Sequence, residues 1–376
     1  FSGNSLGLQP KGVNDALQEQ AFIWAEKGAD GYFSDWVDFH QRFLTYFEPI
    51  IGGQSHEFML MNALTVNLHL LMVSFYQPTQ ERYKIIIEGG AFPSDQYAVQ
   101  SQIAFHGLDS NEALVTLKPN TAEDCLNTSD IIESIESHGE SIALILLGGV
   151  NYYTGQKYDM EAIAEYGKKV GAYVGFDLAH AAGNVKLSLH DWNVDFAAWC
   201  NYKYLNCGPG APSGIFIHEK HHKWEGPRFT GWGGNKLDTR CQMNSKIDPI
   251  QNAAGWGISN SSIFSMAPMK NALQIYQNVG MDEFIDMSHT LTGYLASLIN
   301  KELPLITIMT PDDSNQRGCQ LSLVAPKGKV IWETLIEKNV VCDWREPSVF
   351  RIAPTPLYNT FTEIYELVQI LKKILC

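Results

Sequence analysis

The sequence contains little of what binding to nucleic acids or membranes requires. It has 27 basic against 41 acidic residues, a formal net charge of −14, and no run of Lys or Arg longer than two. Such a balance repels phosphate backbones and anionic membrane surfaces. The longest apolar stretches, such as 142–150, are about half of the ~20 residues that a membrane-spanning helix needs. We therefore expect neither a nucleic acid nor a membrane as a partner.

The sequence also lacks any CxxC spacing, and its seven cysteines cannot all pair within one chain. Scattered cysteines of this kind are typical of reduced thiols, and we expect a cytoplasmic protein without a bound metal. There is no repeat, low-complexity tract or Pro/Ser-rich linker, so its parts are expected to pack closely. Because the sequence begins at Phe1 rather than Met, we expect a further N-terminal piece to precede it.

The composition is that of a folded protein. The 376 residues are 45% hydrophobic and 18% charged. Short apolar runs at 83–88, 143–148, 172–177, 196–201 and 213–217 are typical of strands buried on both faces, and 159–171 has helical spacing between two of them. This alternation predicts an α/β fold with a mainly parallel sheet flanked by helices, whose ligands bind at the carboxyl ends of the strands.

The pattern changes after residue 262. Long helical stretches at 267–279 and 281–303 are followed by a strand at 318–324 and helices at 330–338 and 362–375. We therefore predict a smaller C-terminal α+β domain at 263–376, a large ligand-binding domain at 41–262, and an N-terminal segment at 1–40 that packs on the small domain and at a subunit interface.

Two familiar catalytic patterns favour structural interpretations. Gly3–Gly7 matches the GxSxG nucleophile elbow, but that elbow needs a strand before it and only two residues precede it. His218 and His222 match HExxH, whose histidines bind zinc only from a helix. Here the motif follows a strand and leads into 224–227, which leaves little room for a helix. We expect a polar loop, with a zinc peptidase as an alternative.

A third arrangement is more specific. Asp177 ends one strand-like run, and Lys203 follows the next such run 26 residues later. A carboxylate and a lysine at neighbouring strand ends are what pyridoxal phosphate requires, because the lysine bonds the aldehyde and the carboxylate keeps the pyridine nitrogen protonated. Phe92 offers an aromatic ring, Thr65 lies at the start of an amphipathic stretch suited to phosphate, and Tyr202 adds a phenol. A helix cap at Asp177 and a surface lysine are the alternative interpretation.

Six blocks in order make the sequence resemble the kynureninases, enzymes of pyridoxal phosphate fold type I. They are Gly3–Pro10, Met61–His69, Phe92–Asp95, Gly175–Ala181, Asn201–Asn206 and Arg351–Asn359. The resemblance implies hydrolysis of the Cβ–Cγ bond of L-kynurenine or 3-hydroxy-L-kynurenine. The products would be L-alanine and anthranilate or 3-hydroxyanthranilate. This reaction belongs to tryptophan degradation by the kynurenine pathway, which also supplies NAD biosynthesis. Another fold-type-I enzyme, an aminotransferase or a desulfurase, is the alternative, and so is a non-catalytic binding protein.

The resemblance also implies where the cofactor ring would lie. Lys203 would bind the cofactor covalently and take the substrate's α-proton, and Asp177 would meet the pyridine nitrogen. Phe92 would stack on the ring, and His180 and Asp95 would surround it.

The resemblance also implies which residues would bind the cofactor phosphate and the substrate carboxylate. Leu64, Thr65 and Tyr202 would hold the phosphate, and Tyr202 would also carry a proton during bond cleavage. Arg351 would bind the substrate carboxylate, a task that suits its bidentate fork.

The resemblance further implies a homodimer with shared active sites. Trp232 and Asn260 would reach the cofactor from the partner subunit, and Trp36 would approach the substrate ring. Asn260 could also hydrogen-bond a 3-hydroxyl, which favours 3-hydroxykynurenine as the better substrate. Gly148 and Asn235 depart from the family pattern, where a serine and a histidine are usual, and both changes bear on substrate preference.

Overall fold

The computed structural model of the chain describes residues 1–119 and 124–375. The α-helices in these ranges are α1 Val13–Lys27, α2 Gln41–Phe47, α3 Leu64–Phe75, α4 Pro93–Phe105, α5 Ser110–Ala113, α6 Thr128–His138, α7 Met160–Lys169, α8 Leu237–Arg240, α9 Ile263–Met266, α10 Met269–Val279, α11 Met281–Glu302, α12 Gly328–Glu337 and α13 Phe361–Leu375. The strands are β1 Phe58–Leu60, β2 Lys84–Glu88, β3 Leu114–Leu117, β4 Ile142–Gly148, β5 Tyr173–Asp177, β6 Phe196–Trp199, β7 Gly214–Ile217, β8 Thr307–Ile308, β9 Leu321–Val324, β10 Asp343–Arg345 and β11 Val349–Ile352.

Seven of these strands form one sheet in the order β1-β7-β6-β5-β4-β2-β3. The neighbours from β6 to β3 run parallel, while β7 is antiparallel to both β6 and β1. The prediction of a mainly parallel sheet with helices is therefore confirmed. The predicted bounds of the strands in this sheet agree within about two residues, as in the run 196–201, which ends as a strand at Trp199. The strand predicted at 318–324 begins three residues later, at Leu321.

Strand β4 shows why the run at 143–148 has no polar alternation. Leu144 and Leu146 pack in the core on one face of the sheet, while Ile145 and Leu147 pack in the core on the other face. Successive side chains of a strand point to opposite faces, so a strand covered on both sides must be apolar throughout. Burying each such side chain stabilises the fold by about 1.5–3 kcal/mol.

Helix α7 connects β4 to β5 as the sequence predicts. The Asp159 side chain accepts a hydrogen bond from the Ala162 N–H and so caps the first turn. Ile163 and Ala164 are buried against the sheet. Gly167 faces β5 so closely that a Cβ there would lie 2.4 Å from the Val174 side chain. The βαβ unit therefore places the end of β5, and with it Asp177, at the carboxyl edge of the sheet.

The C-terminal part contains a second, antiparallel sheet in the order β10-β11-β9-β8, covered by α11 and α13. In the hairpin of β10 and β11, Asp343 lies opposite Arg351. The N-terminal residues join this sheet, since Ser2 bridges Ala353. Within the described residues, none of the helices has the length and apolar character that crossing a membrane requires.

Candidate active site

A cavity of about 400 Å³ opens at the carboxyl ends of the parallel strands. Residues predicted from the sequence account for much of its wall, namely Leu64, Thr65, Phe92, Asp177, His180, Tyr202, Lys203 and Arg351. Asp95 lies next to it, in the wall of a second cavity of about 20 Å³. The structure thus brings together residues that lie up to 287 positions apart in the sequence.

Lys203 and His180 meet inside this cavity. The Lys203 Nζ lies 3.0 Å from the His180 Nε2. Burial, reinforced by the charge of Lys203, holds the pKa of His180 well below its usual range. A neutral imidazole that accepts the lysine proton at Nε2 carries its own hydrogen on Nδ1, and that Nδ1 is buried without a partner.

Asp177 and Asp95 form a pair of buried carboxyls on the other side of Lys203. Asp177 ends β5, and its Oδ1 accepts a hydrogen bond of 2.7 Å from the Ala179 N–H. Asp95, in the first turn of α4, hydrogen-bonds Asp177. Burial and the charge of Asp177 raise the pKa of Asp95 well above its usual range. A hydrogen bond between two carboxyls needs a proton, and the raised pKa of Asp95 indicates that Asp95 carries it.

The start of α3 forms the end of the cavity suited to a phosphate. Ala63 caps this helix without a side-chain hydrogen bond, so backbone N–H groups of Leu64 and Thr65 remain available for an anion. The Thr65 Oγ1 lies 2.7 Å from the Ser94 Oγ. Tyr202 lines the same cavity, and burial raises the pKa of its phenol. Ser94 belongs to the block around Phe92 but was not among the predicted site residues.

Arg351 lies at the opposite end, buried to 1% exposure. Its Nη2 is 2.6 Å from the Asp343 carboxylate, and its Nη1 donates to the Tyr152 carbonyl at 2.8 Å. Its Nε is buried without a partner. One edge of the guanidinium is therefore fixed by the protein, while the Nε remains available for a carboxylate. The Ser5 hydroxyl of the GxSxG motif donates to Asp343 and is part of this support.

Sequence reasoning missed Asp343, Tyr152 and Arg345, although Tyr152 and Arg345 line the cavity. The Tyr152 ring meets Phe92 edge-on at 5.1 Å and 90°. Asp343 is identified by its position opposite Arg351 in a hairpin, which the spacing of the two residues does not reveal. Arg345 ends β10, outside the six motif blocks of the sequence, so no motif marks it.

The residues expected from a partner subunit form a separate surface, which we call the lip, made of Tyr32, Trp232 and 258–260. The Tyr32 hydroxyl donates to the Asn260 Oδ1 at 2.8 Å, and Gly233 donates to the Ile258 carbonyl. Trp232 is 39% exposed. The lip is not part of the wall of the same chain's 400 Å³ cavity.

Trp36 lies beneath that surface and does not line the cavity either. Its indole N–H donates to the Gln20 side chain at 2.9 Å, and its ring packs on Gly31. The member of its segment that reaches Asn260 is Tyr32. A contact of Trp36 with the substrate remains a prediction.

The HExxH motif forms a short 3₁₀ turn at Glu219–His221 rather than a metal-binding helix. The His218 Nδ1 accepts from the Lys220 N–H and its Nε2 contacts the His190 carbonyl. The His222 Nε2 contacts the Ile217 carbonyl. Both ring nitrogens of His218 and the Nε2 of His222 already have hydrogen-bond partners. The expected loop is more buried than predicted, since His218 is only 9% exposed.

The unpartnered atoms of the cavity fit pyridoxal phosphate. The His180 Nδ1 and Asp95 Oδ1 are buried polar atoms that await a ligand, Asp177 is placed to meet a ring nitrogen, and α3 begins where an anion would be bound. A lysine amine, an acid and a helix start at the carboxyl edge of a mainly parallel sheet define an enzyme of pyridoxal phosphate fold type I.

Solved structures show the same fold. A cystine C–S lyase variant with glycine linked to its pyridoxal phosphate covers 99% of this chain and 95% of its own, with a TM-score of 0.82 and 18% identity. A cysteine desulfurase from Thermococcus onnurineus covers 100% and 94%, with a TM-score of 0.82 and 16% identity. At such identities the likeness shows the fold alone.

Sequence relatives show the family. The profile of the kynureninase C-terminal domain matches residues 286–371. A kynureninase from Flavobacterium psychrophilum is 49% identical over 99% of this chain and 90% of its own length, and the human kynureninase is 45% identical over 100% and 83%. The chain belongs to the kynureninase family.

Proposed function

We propose that the chain binds pyridoxal 5′-phosphate and hydrolyses the Cβ–Cγ bond of L-kynurenine, its 3-hydroxy derivative or both. The products are L-alanine and anthranilate or 3-hydroxyanthranilate, in the degradation of tryptophan. The observation that carries the proposal is the 400 Å³ cavity in which Lys203, neutral His180 and Asp177 meet. The near full-length relation to kynureninases selects this reaction among those that the fold supports. A desulfurase would need a cysteine, and the described wall of the cavity contains none.

Each side chain has a definite task in this reaction. When bound, pyridoxal phosphate supplies an electron sink next to the carbon that bears the amino group. Lys203 takes the proton from that carbon, and its contact with His180 orients the amine. Asp177 holds a proton on the pyridine nitrogen, while Asp95 hydrogen-bonds Asp177 from behind.

The remaining residues orient the substrate and manage its departing fragment. Arg351 binds the substrate carboxylate with the N–H groups that Asp343, Ser5 and the Tyr152 carbonyl leave free, among them its Nε–H. Tyr202 holds the phosphate and delivers a proton to the β-carbon, since burial keeps its phenol protonated. Water adds to the γ-carbonyl of the substrate.

The lysine assignment has a direct test. Borohydride reduction of the protein with bound cofactor, followed by peptide mapping, is expected to label Lys203. Lys203→Ala is expected to fold, to bind the cofactor without a covalent bond and to release no L-alanine from kynurenine. Lys220→Ala, which changes a lysine at the opposite edge of the sheet, serves as the control and should keep both properties. A label on another lysine would contradict the assignment.

We also propose a homodimer in which each lip completes the partner's site. The proposal is supported by the exposure of Trp232 and by the separation of the lip from its own cavity. Mixing inactive Lys203→Ala chains with inactive Trp232→Ala chains should restore activity, because one site of each hybrid then contains no mutation. Hybrids that form but remain inactive would disprove the shared site.

The preference for 3-hydroxykynurenine is a further part of the proposal. The Asn260 carbonyl oxygen is occupied by Tyr32, which leaves its amide nitrogen for a ring hydroxyl. Asn260→Thr should lower kcat/KM for the hydroxylated substrate by about tenfold to a hundredfold relative to kynurenine, since a polar group left unpaired costs about 1–3 kcal/mol once the dimer buries the exposed Asn260. Tyr32→Phe is the matched control for the loss of the lip hydrogen bond alone. An unchanged ratio in Asn260→Thr would remove this residue from the selectivity argument.

The division into segments 1–40, 41–262 and 263–376 and a cytoplasmic location complete the proposal. Cys200, Cys207, Cys319 and Cys342 are free buried thiols, which supports a reducing compartment. Measuring the state of these thiols in protein isolated under alkylating conditions tests the location, and finding disulfides would contradict it.

A further inference from the structure

A third carboxyl, Glu88, lies behind the pair of Asp95 and Asp177. It ends β2 and is only 4% exposed. Its two carboxyl oxygens accept the Gly148 N–H at 3.2 and 3.1 Å. A Cβ at position 148 would lie 2.9 Å from the Glu88 Oε1, so the glycine leaves room for this carboxyl. None of the catalytic steps described above uses Glu88.

The three carboxyls enclose the smaller cavity of about 20 Å³. Its wall also contains His180, and it carries two unpartnered buried atoms, the Asp95 Oδ1 and the His180 Nδ1. Both residues are 6% exposed. A polar cavity of this size has room for one water, which needs two to four polar partners. Glu88 and Asp95 are thus placed to exchange a hydrogen bond across a single water.

The charges that face Glu88 do not allow it to ionise freely. Asp177 from β5 and Asp95 from α4 are acidic, and Tyr158 lies near it after β4. The nearby amine is Lys203, which is shared among the carboxyls, and His180 is neutral. Burial, together with the charge of Asp177, raises the pKa of Glu88 to about 7. Three buried carboxylates beside one amine would leave excess charge in a medium of low dielectric constant.

We propose that Glu88 is a positioning residue of the cofactor site, which holds its own proton and hydrogen-bonds Asp95 across the small cavity, so that Asp95 and Asp177 stay in place opposite the pyridine nitrogen. The inference rests on the cofactor part of the proposed function and not on the substrate.

Infrared titration of the apoprotein measures the proton directly. The parent should show a buried carboxylic acid band that disappears between pH 6 and 8. Glu88→Gln, which keeps the shape of the protonated acid but cannot ionise, should lack that step. Glu57→Gln, a change of a buried glutamate at the opposite edge of the sheet, should retain it. A parent without an acid that titrates in this range would overturn the proposal, and so would a step of undiminished amplitude in Glu88→Gln, since Asp95 can account only for a smaller remaining step.

Cofactor affinity separates the role of the proton from a merely structural one. Fluorescence titration with pyridoxal phosphate should give Glu88→Gln a Kd within about threefold of the parent at pH 7, since the amide mimics the protonated acid. Glu88→Ala should bind about tenfold more weakly, because the Gly148 N–H and Asp95 both lose a partner. Equal losses in both variants would contradict the proposal. Neither experiment uses kynurenine, so failure of the proposed reaction would leave this result standing.

Discussion

Glu57 and Glu88 are buried glutamates at opposite edges of the same sheet. Glu57 is 0% exposed and lies where β7 ends, and its oxygens accept the Gln54 and Glu219 N–H groups and contact the His190 Nδ1. Glu88 is 4% exposed and shares one backbone donor, the Gly148 N–H, between its two oxygens.

The comparison teaches that burial alone does not mark a functional carboxyl. Glu57 and its neighbours His190 and His218 could supply three metal-ligating atoms, yet these atoms have protein partners that fix them. The edge around Glu88 has a cavity and unpartnered atoms instead. Native proteins satisfy nearly all of their buried polar groups, so a cluster of exceptions indicates where a ligand binds.

The largest effect on activity should come from a substitution at the edge of the sheet around Glu88, where the unpartnered atoms lie. Asp177→Asn should fold normally but lose about 10²- to 10⁴-fold in kcat, because an amide cannot hold the proton on the pyridine nitrogen. Steady-state release of L-alanine from kynurenine is the measurement. Asp191→Asn, a surface change, should stay within twofold, and a comparable loss there would show that the effect is not local.

A substitution at the edge around Glu57, where the buried atoms have partners, should instead lower the stability of the fold. Glu57→Ala leaves the Gln54 and Glu219 N–H groups without an acceptor and opens a cavity, so the free energy of unfolding should fall by about 3 kcal/mol. Urea denaturation followed by circular dichroism measures it, while kcat at a permissive temperature should remain within about twofold. A large loss of kcat without a loss of stability would break the distinction between the two edges.

Glu88 should make the stability of the fold depend on pH. Its folded pKa of about 7 lies above its ordinary value of 4.5, so the unfolded chain binds fewer protons in between and Glu88 destabilises the fold as pH rises through this window. Above pH 7 the cost approaches about 3 kcal/mol, at about 1.4 kcal/mol per pKa unit. Glu88→Gln should therefore gain on the parent in unfolding free energy between pH 5 and pH 8. A constant difference would show that Glu88 ionises as it does in the unfolded chain.

Arg351 has both atoms with protein partners, as Glu57 has, and an atom without a partner, as the edge around Glu88 has. Asp343 and the Tyr152 carbonyl occupy part of its guanidinium, while its Nε has no partner. Arg351→Lys keeps a charge beside Asp343 but loses the planar fork, so KM for kynurenine should rise about tenfold to a hundredfold with a smaller change in kcat. A substrate analogue without the carboxylate should bind the parent and the variant equally. A change confined to kcat would contradict carboxylate binding.

The strands of the large sheet and the residues at their carboxyl ends follow from local patterns, whereas the order of the strands within the sheet does not. Continuous apolar runs predict parallel strands, and Asp177 and Phe92 come within a few residues of such runs. The contacts of the lip do not follow from local patterns. Its residues carry motifs in the sequence, but only the structure pairs Tyr32 with Asn260 and leaves Trp36 packed on Gln20.

The sequence by itself determined the fold class and the family and proposed Lys203 and Asp177 for the cofactor site, because short-range apolar periodicity and contiguous motifs encode these features. The tertiary structure alone decided that Glu88 lies beside Asp95 and Asp177, and that Asp343 and Ser5 support Arg351. These contacts join residues as far as 346 positions apart. Whether a buried carboxyl keeps its proton depends on the charges and donors that folding brings around it, and no local pattern contains that information.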